Sequence, residues 1–345
     1  MAVSSDSVRL ATVEEVTHGT TPATPTLNIM RITGESITFD VTTTQSDEMG
    51  GINRGVKDNI LTGAAVSGSI EFELSKFEGL ERAMAAALGS SWASDDLGVP
   101  GAGGNLKTYN AYEYRTFTLE KRFLLDDGPT YNYHVFVGCM FDTFSLSITP
   151  NEPITGSMGV IGNSMATSDT PLGADPVLNY TLPGTSPIMT SPLVTGIELL
   201  TPAGIDDTTG VPLGTAVPWL SNSCFTGLDL NFLNNSRGLQ CIGTLGNKET
   251  SLGRFEATAT GTLYYAADEP LDALITQDEF AMSVTCTDDD GESFEFFFPR
   301  VAFASASALA TGTNTDVMTE FGLTLLEYQG DDYAYTVMIT RSSGA

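Results

Sequence analysis

The alternation of apolar and polar residues is clearest between residues 63 and 92, where it predicts a strand followed by a helix. Ile70, Phe72 and Leu74 alternate with polar residues, as in a strand that has one buried and one solvated face. The apolar residues between Leu80 and Leu88 then recur at helical spacing, and a glycine follows them. We expect this strand and helix to form the centre of a β-rich domain.

The same strand-and-helix unit recurs between residues 254 and 280. A Ser-Gly-Ser-Ile sequence that ends at Ile70 is matched by Thr-Gly-Thr-Leu ending at Leu263, at an offset of 193 residues. An earlier Ile-Thr-Gly ending at Gly34 is matched at the same offset by Phe-Thr-Gly ending at Gly227. Two matches with one offset predict a tandem duplication of one domain. The alternative is two unrelated β-sandwiches with similar strands.

Farther along the chain, the apolar group at residues 135–144 resembles the group at residues 296–303, at a smaller offset near 161. A segment rich in Gly, Ser and Asp at residues 90–110 has no counterpart in the second copy. An insert in the first copy alone therefore explains the smaller offset. The sequence leaves open whether this insert decorates the outside or reaches a neighbour.

The boundary between the two copies is indicated by composition. Residues 164–192 are rich in Ser, Thr and Pro and lack a hydrophobic period, which is typical of a linker. The predicted fold class is therefore mainly β, with two tandem β-sandwich or barrel domains, each with one short flanking α-helix. The predicted domains are residues 1–163 and residues 193–345.

A polar stretch from Thr42 to Thr62 lies between two predicted strands. A connection of that length without secondary structure is unusual in a compact domain, and long loops commonly carry function. Its Arg54, Lys57 and Asp58 carry charges of both signs. The stretch is therefore predicted to contact a neighbouring subunit.

The charge balance is strongly acidic. The chain of 345 residues has 43 acidic and 15 basic residues, for a formal net charge of −28. Binding of nucleic acid through its phosphates needs clustered Lys and Arg, so this composition argues against that class of protein. An acidic surface that only keeps a β protein soluble is the alternative explanation.

The composition also predicts no membrane segment. No run of residues approaches the roughly 18 to 20 apolar positions that span a bilayer, and the first ten residues lack the basic start and apolar core of a signal peptide. We therefore expect a protein that is made in a cytoplasm and stays there until it is moved.

Residues that could carry chemistry are few. The four cysteines lie far apart without a CxxC pair, and the chain has two histidines, so we predict buried reduced thiols and no metal site. Neither His18 nor His134 has a nucleophile motif nearby. The acidic run at residues 287–292 lacks the alternation of a calcium loop and predicts a hairpin turn. We expect no cofactor and no enzymatic activity.

Residues 20–92 carry a resemblance to a known family. They contain, in order, a Thr/Pro loop (TPATPTLNIMRITGESITFD), a polar loop with an Asn-Arg-Gly-Val-Lys-Asp core, the strand sequence VSGSIEFELS, a short helix and ALGSSW. In this order they resemble the major tail tube proteins of long-tailed, siphovirus-type bacteriophages. The second copy is covered only through the internal repeat, and single-domain members of the family lack it.

The resemblance implies a structural virion protein whose strands join those of its neighbours into a ring. Rings would stack through the loop that contains Arg54, Lys57 and Asp58, and the stack would form a hollow tube. If single-domain relatives close as rings of six, three copies of this chain form a trimeric, pseudo-sixfold ring.

The resemblance also implies that DNA passes through the tube without specific binding. Acidic residues that line the bore would repel phosphate. Glu71 and Glu73 lie on the polar parity of the central strand and are the candidates for this lining. At the offset of 193, their counterparts are Tyr264 and Ala266, which carry no carboxylate.

The implied partners are further copies of the chain and the tail terminator, tail tip and tape-measure proteins. The implied location is the virion tail, with assembly in the host cytoplasm. Two other functions compete with this interpretation. A decoration or receptor-binding β-sandwich would need an exposed aromatic patch, for which Trp92 and Trp219 are too few and too scattered, and a hydrolase would need an acid and a base that the sequence does not single out.

Overall fold

The computed structural model describes residues 3–48, 56–92, 106–109, 111–125, 130–173, 179–200, 224–266, 268–310, 312–329 and 334–342. The fold is mainly β, as predicted. In this described part of the chain, no helix has the length and hydropathy needed to cross a membrane.

The described first half contains eleven strands and one helix, which end before residue 182. They are β1 (Arg9–Glu14), β2 (Leu27–Ile29), β3 (Gly34–Glu35), β4 (Thr38–Gln45), β5 (Asn59–Glu73), α1 (Glu78–Ala87), β6 (Leu106–Tyr109), β7 (Phe117–Leu124), β8 (Tyr131–Ile148), β9 (Thr155–Gly162), β10 (Ser164–Ser168) and β11 (Tyr180–Thr181).

The second half, again within the described residues, also contains eleven strands and one helix. They are β12 (Val194–Leu200), β13 (Phe225–Leu233), β14 (Arg237–Gln240), β15 (Asn247–Ser251), β16 (Glu256–Tyr264), α2 (Glu269–Thr276), β17 (Glu279–Thr287), β18 (Ser293–Leu309), β19 (Met318–Leu326), β20 (Tyr328–Gln329), β21 (Ala334–Tyr335) and β22 (Met338–Ser342).

One antiparallel sheet of eight strands runs through both halves. Its order is β4, β5, β9, β8, β13, β16, β19 and β18, and β8 and β18 enter it with their C-terminal parts. The N-terminal part of β8 pairs with β7 and β10, and β7 pairs with β1. In the same way, the N-terminal part of β18 pairs with β17 and β22, and β17 pairs with β12. The long strands therefore connect the eight-stranded sheet to an outer layer in each half.

The hydrophobic core is continuous through both halves. Phe144 of β8 stacks against Phe72 at a centroid distance of 6.1 Å and against Phe232 of the second half at 5.6 Å. All three side chains are buried. Aromatic contacts of this kind add to the free energy that is gained by removing apolar surface from water.

The long strands replace pairs of shorter strands that the periodicity predicts at residues 131–137 and 144–148 and at residues 293–298 and 301–309. A β-bulge bends each long strand without ending it. In β8 the bulge contains Gly138, with a φ of 65°, and in β18 it contains Pro299. Both residue types are common at bulges, because glycine tolerates a positive φ and proline donates no ladder hydrogen bond.

The polar stretch from Thr42 to Thr62 is mostly a hairpin, and the prediction of a structureless loop is wrong for its strand parts. β4 and β5 extend into it, pairing Thr43 with Leu61 and Gln45 with Asn59. Neither face of this hairpin is buried, so the sequence shows no hydrophobic alternation there. We call residues 41–48 and 56–62 the first arm. Arg54 lies outside the described residues.

Parts of the predicted linker and insert are also strands. Within residues 164–192, β10 pairs with β8 and β11 pairs with β2. β10 has no buried residue, which explains why no hydrophobic period reveals it. The insert at residues 90–110 is described only at residues 90–92 and 106–109, and the latter form β6, which pairs with β22 of the second half.

Candidate assembly surfaces

The two halves have the same strand order, and the β-bulges of β8 coincide with those of β18. Four residues in each half, connected by strand pairing, form matched sets. The sets are Thr143, Gly159, Ser69 and Ser36 in the first half and Ser305, Gly322, Thr260 and Asp229 in the second. A β-bulge precedes Thr143 and Ser305, and in both halves a Cβ on the opposite glycine would overlap the hydroxyl oxygen.

These matched positions fix the offset between the halves strand by strand. From β4 to β13 the offset is 193 residues, as Ser36 to Asp229 shows, but from β5 to β16 it is 191, as Ser69 to Thr260 shows. The residues at the positions of Glu71 and Glu73 are therefore Thr262 and Tyr264, which corrects the assignment made at a uniform offset of 193. Because the two offsets differ by two residues, which is the side-chain period of a strand, both alignments place the counterparts on the same face of β16.

The two halves meet where β8 pairs with β13, and we call this pairing the internal seam. It runs from Thr143 opposite Leu233 to Ile148 opposite Leu228. On the buried face, the rings of Phe144 and Phe232 stack with an interplanar angle of 3°. On the solvated face, the Ser147 hydroxyl donates to Asp229 Oδ1 over 2.6 Å. The halves are thus joined by a complete strand ladder.

The matching strands at the ends of the eight-stranded sheet have no such neighbour. Among the described residues, β4 pairs only with β5, and residues 305–309 of β18 pair only with β19. Ser305, Ser307 and Leu309 are exposed, as is Thr38 of β4. Unpaired sheet edges present free N–H and C=O groups and readily accept another strand.

The two helices also differ in their surroundings. Eight of the ten residues of α1 are buried, whereas only Pro270 and Ala273 of α2 are buried. Leu271 and Ile275 of α2 are 44% and 72% exposed. An amphipathic helix normally buries only its apolar face. α1 is instead covered on nearly all sides.

Residues of the second half supply part of the cover of α1. Arg341 of β22 lies 3.0 Å from the Glu81 carboxylate, and both side chains are at most 1% exposed. A second ion pair crosses between the halves where Lys76 Nζ lies 2.5 Å from Glu292 Oε1. Buried charges of this kind require their partners, because an uncompensated charge in a low dielectric is costly.

The hairpin β14–β15 packs back on the first half, and we call residues 234–251 the second arm. Asn234 Nδ2 donates to the carbonyl oxygens of Ala87 and Phe141 over 2.7 and 3.2 Å. Ser236 N donates to Asp142 Oδ1 over 2.7 Å. In its described residues the matched first arm makes no such contact, and its Val41, Ile60 and Leu61 are 48% to 55% exposed.

The tip of the first arm contains two of the predicted stacking residues. Lys57 forms an exposed ion pair with Glu48, with 3.4 Å between Nζ and Oε2. Asp58 Oδ1 accepts a hydrogen bond from the backbone N–H of Asn59 over 2.8 Å. Exposed pairs of this type contribute little to stability, so both side chains can exchange these contacts for others.

The solvated face of the eight-stranded sheet is rich in hydroxyl groups and carries acids. Glu71 is exposed and Glu73 is half-buried, both on this face, opposite buried Phe72. Glu71 borders a groove with Ser145, Ser157 and Asp229. Strands β4, β5, β9, β13, β16 and β19 and residues 143–148 and 305–309 contain no Lys or Arg.

Comparison with known protein families identifies the family of the chain. A sequence model of a family described as phage tail tube protein matches residues 5–325, which include the first half from residue 5 and most of the second. The chain belongs to the phage tail tube protein family. A search of curated protein sequences finds no match. The tail tube family is structural, so the chain is a structural component of a phage tail.

The cysteines and histidines of this tail tube protein lie in structural surroundings. Cys139 and Cys286 are buried, and burial raises the pKa of Cys286 to about 12. Cys224 and Cys241 are exposed, so the prediction that all four thiols are buried is wrong for these two. His18 contacts Asn163 and Tyr114 through its two ring nitrogens. Burial lowers the pKa of His134, which packs on Phe123.

The structure also places the acidic run at residues 287–292 and one of the two tryptophans. Asp288 accepts hydrogen bonds from the backbone N–H groups of Asp290 and Glu292, which closes the predicted hairpin turn. Within the described residues, no group of His, Cys, Asp and Glu is arranged to hold a metal ion. Trp92 is buried and donates to the carbonyl oxygen of Glu81, whereas Trp219 lies outside the described residues.

Proposed function

We propose that the chain is a tandem duplication of one tube domain and that three copies form a closed, pseudo-sixfold ring of the tail tube. The observation that carries this proposal is the internal seam. It joins two halves of equal strand order, while the matching edges of β4 and β18 have no partner strand within the described residues. If β18 of one chain pairs with β4 of the next as β8 pairs with β13, both edges are covered. The chains then close into a ring when each domain is rotated by one sixth of a turn from its neighbour.

Stacking of such rings generates the tube, because an axial contact between unlike faces does not close on itself. We assign this contact to the tip of the first arm, with Arg54, Lys57 and Asp58 as the contacting residues. Its exposure and its charges of both signs support the assignment. Tube length and tube ends then require other proteins, which in this family are the tape-measure, tail terminator and tail tip proteins.

The solvated face of the eight-stranded sheet is proposed to line the bore of a tube through which DNA leaves the virion. Six acids occupy the strand segments of this sheet that contain no Lys or Arg: Asp40, Glu71, Glu73, Asp229, Glu256 and Glu320. Phosphates within about 8 Å of such carboxylates are repelled at physiological salt. Serine and threonine hydroxyls form neutral, replaceable contacts, so the DNA would slide without binding.

Electron microscopy of the purified protein at several concentrations and salt levels tests this proposal. We expect hollow rings or tubes whose end-on averages show three chains and six similar wall domains. Assembly happens in the host cytoplasm under this proposal, so it needs no membrane and no added cofactor. Compact monomers under every condition would overturn the self-assembly, and six chains per ring would overturn the duplication as the basis of the sixfold wall.

The stacking assignment has its own test in the double variant Lys57→Ala/Asp58→Ala. We expect isolated rings of normal diameter and a loss of tubes, because the ring seams do not use these two residues. Glu152→Ala, in the exposed turn between β8 and β9, is the matched control and should leave tubes intact. Tubes of normal length from the double variant would remove the assignment.

A further inference from the structure

The internal seam gives the register in which neighbouring chains meet. We infer that residues 305–309 of β18 pair antiparallel with residues 36–40 of β4 in a second copy of this chain, with Ser307 opposite Thr38. This inference rests on the proposed ring and specifies its contacts. It follows from the matched positions in the two halves and from the pairing that already exists within one chain.

The register is transferred in two steps. The shared bulge positions place residues 143–147 of β8 on residues 305–309 of β18, an offset of 162 residues. The matched sets place Asp229 of β13 on Ser36 of β4. In the internal seam, Ser145 lies opposite Asn231. The corresponding pair between two chains is therefore Ser307 and Thr38.

The exposure of residues 305–309 agrees with a strand pairing between two chains. Ser145 and its neighbours in β8 are buried or half-buried because β13 covers their edge, whereas Ser305, Ser307 and Leu309 are exposed. Among the described residues, no strand pairs with that edge of β18. A second copy of β4 supplies a strand of the right direction and length, and its addition also continues the solvated face from one chain to the next.

The seam between chains is also expected to be less tightly packed than the internal one. Phe144 and Phe232 stack across the internal seam, but the corresponding positions are Ala306 and Phe39. An alanine leaves Phe39 without an aromatic partner, so the inter-chain seam buries less apolar surface per strand pair. This difference suits a joint that forms only when subunits assemble.

Helix α2 and the first arm, apart from the tip that contains Lys57 and Asp58, belong to the same seam. α1 is covered by the second half, which follows it in the sheet order, and α2 would be covered in the same way by the next chain. The second arm packs on the first half, so the first arm is expected to pack on the second half of the preceding chain. The exposed Leu271, Ile275 and Ile60 would then become buried in the ring.

Disulfide cross-linking tests the register directly. The variant carries Thr38→Cys and Ser307→Cys, with Cys224→Ser and Cys241→Ser to remove the exposed native thiols. Directly opposite residues in an antiparallel pair lie close enough for a disulfide. After assembly and oxidation, we expect most chains to run as covalent dimers and trimers on a non-reducing gel and as monomers after reduction.

Two controls make the result specific. Ser145→Cys/Asn231→Cys places the same pair in the internal seam and should form a disulfide within one chain, which shows that the geometry permits the bond. Asp40→Cys/Ser307→Cys is two residues out of register and should cross-link at least tenfold less. Neither thiol of that control lies in the buried core.

The outcomes separate this inference from the proposed function. Rings in the microscope with efficient cross-linking of Thr38→Cys/Ser307→Cys support both. Rings without that cross-link, or with equal cross-linking of the out-of-register pair, overturn the register but leave the ring. Absence of rings and of inter-chain cross-links from the wild type and the variants at every concentration overturns both.

Discussion

Helices α1 and α2 follow matched strands in the two halves, yet one is enclosed and the other is open. α1 is covered by Arg341 and its neighbours in the second half, whereas α2 exposes Leu271 and Ile275. The sequence difference is small, since Leu80 and Met84 of α1 match Leu271 and Ile275 at the offset of β5. Part of this difference in environment comes from the second half, which lies beside the first. Trp92 and β2 of the first half also contact α1.

This contrast separates contacts that stabilise one chain from contacts that join chains. We therefore expect a residue of the first half at the internal seam to stabilise the folded chain. We expect its counterpart in the second half to act mainly in the proposed assembly. A substitution in the first half should therefore lower the free energy of unfolding of the dispersed chain. The matched substitution in the second half should mainly weaken ring formation, which is measured separately.

The largest effect is expected at the buried ion pair of α1. Glu81→Ala removes the carboxylate beside Arg341 and should lower the free energy of unfolding by about 3–5 kcal/mol, because a buried guanidinium loses its counter-charge. Chemical denaturation of the dispersed chain measures this loss. Asp272→Ala is the matched change on α2, where the carboxylate is exposed, and should shift stability by no more than about 0.5 kcal/mol. Equal effects of the two changes would contradict the contrast.

The next effect concerns the apolar faces of the helices. Leu80 is fully buried, and Leu80→Ala should cost about 2–5 kcal/mol through lost apolar contact and the cavity left behind. Leu271→Ala should cost less than about 1 kcal/mol in the dispersed chain, because much of that side chain already contacts water. Analytical ultracentrifugation should show that Leu271→Ala nevertheless weakens ring formation. Normal assembly of this variant would mean that α2 stays exposed in the ring.

A smaller effect is expected where the second arm meets the first half. Asn234→Ala leaves the carbonyl oxygens of Ala87 and Phe141 without their donor and should cost about 1–3 kcal/mol. Val41 has the matched position in the first arm, and Val41→Ser should leave the stability of the dispersed chain within about 0.5 kcal/mol. Denaturation curves of the two variants compare the arms, and a large loss with Val41→Ser would show that the first arm is already anchored within its own chain.

The elements that the sequence predicts well are those whose apolar residues recur at the period of a strand or a helix. β5 and α1 carry Ile70, Phe72 and Leu80 toward the core, so their period is visible in the sequence. β10 and the first arm have no buried face, and their strand character comes from pairing with β8 and with each other. The bulge residues Gly138 and Pro299 look like breaks in the sequence, although the strands continue through them.

The candidate surfaces were less predictable because they depend on contacts between distant residues. The acids illustrate this most clearly. Glu81 is buried against Arg341, 260 residues away, and Glu15 accepts hydrogen bonds from Thr116, Thr118 and Gly138. A count of carboxylates in the sequence does not distinguish these two buried acids from exposed ones. The internal seam is likewise invisible in the sequence, since nothing in β8 or β13 indicates which strand lies at its edge.

Glu71 offers the change with the smallest effect on stability and the sharpest test of the bore. Glu71→Lys alters an exposed side chain on the solvated face, so the free energy of unfolding should stay within about 0.5 kcal/mol and tubes should form. Three lysines per ring would weaken the repulsion of phosphate by the remaining acids of the bore. The tubes should therefore retain more short duplex DNA than the wild type in low salt, and the difference should shrink as salt screens the charge. Glu198→Lys makes the same charge change on β12 of the outer layer, where a bound duplex would lie outside the tube. Equal retention by both variants would place Glu71 outside the bore, whereas retention by Glu71→Lys alone, blocked by capping the tube ends, would place its side chain in the path of the DNA.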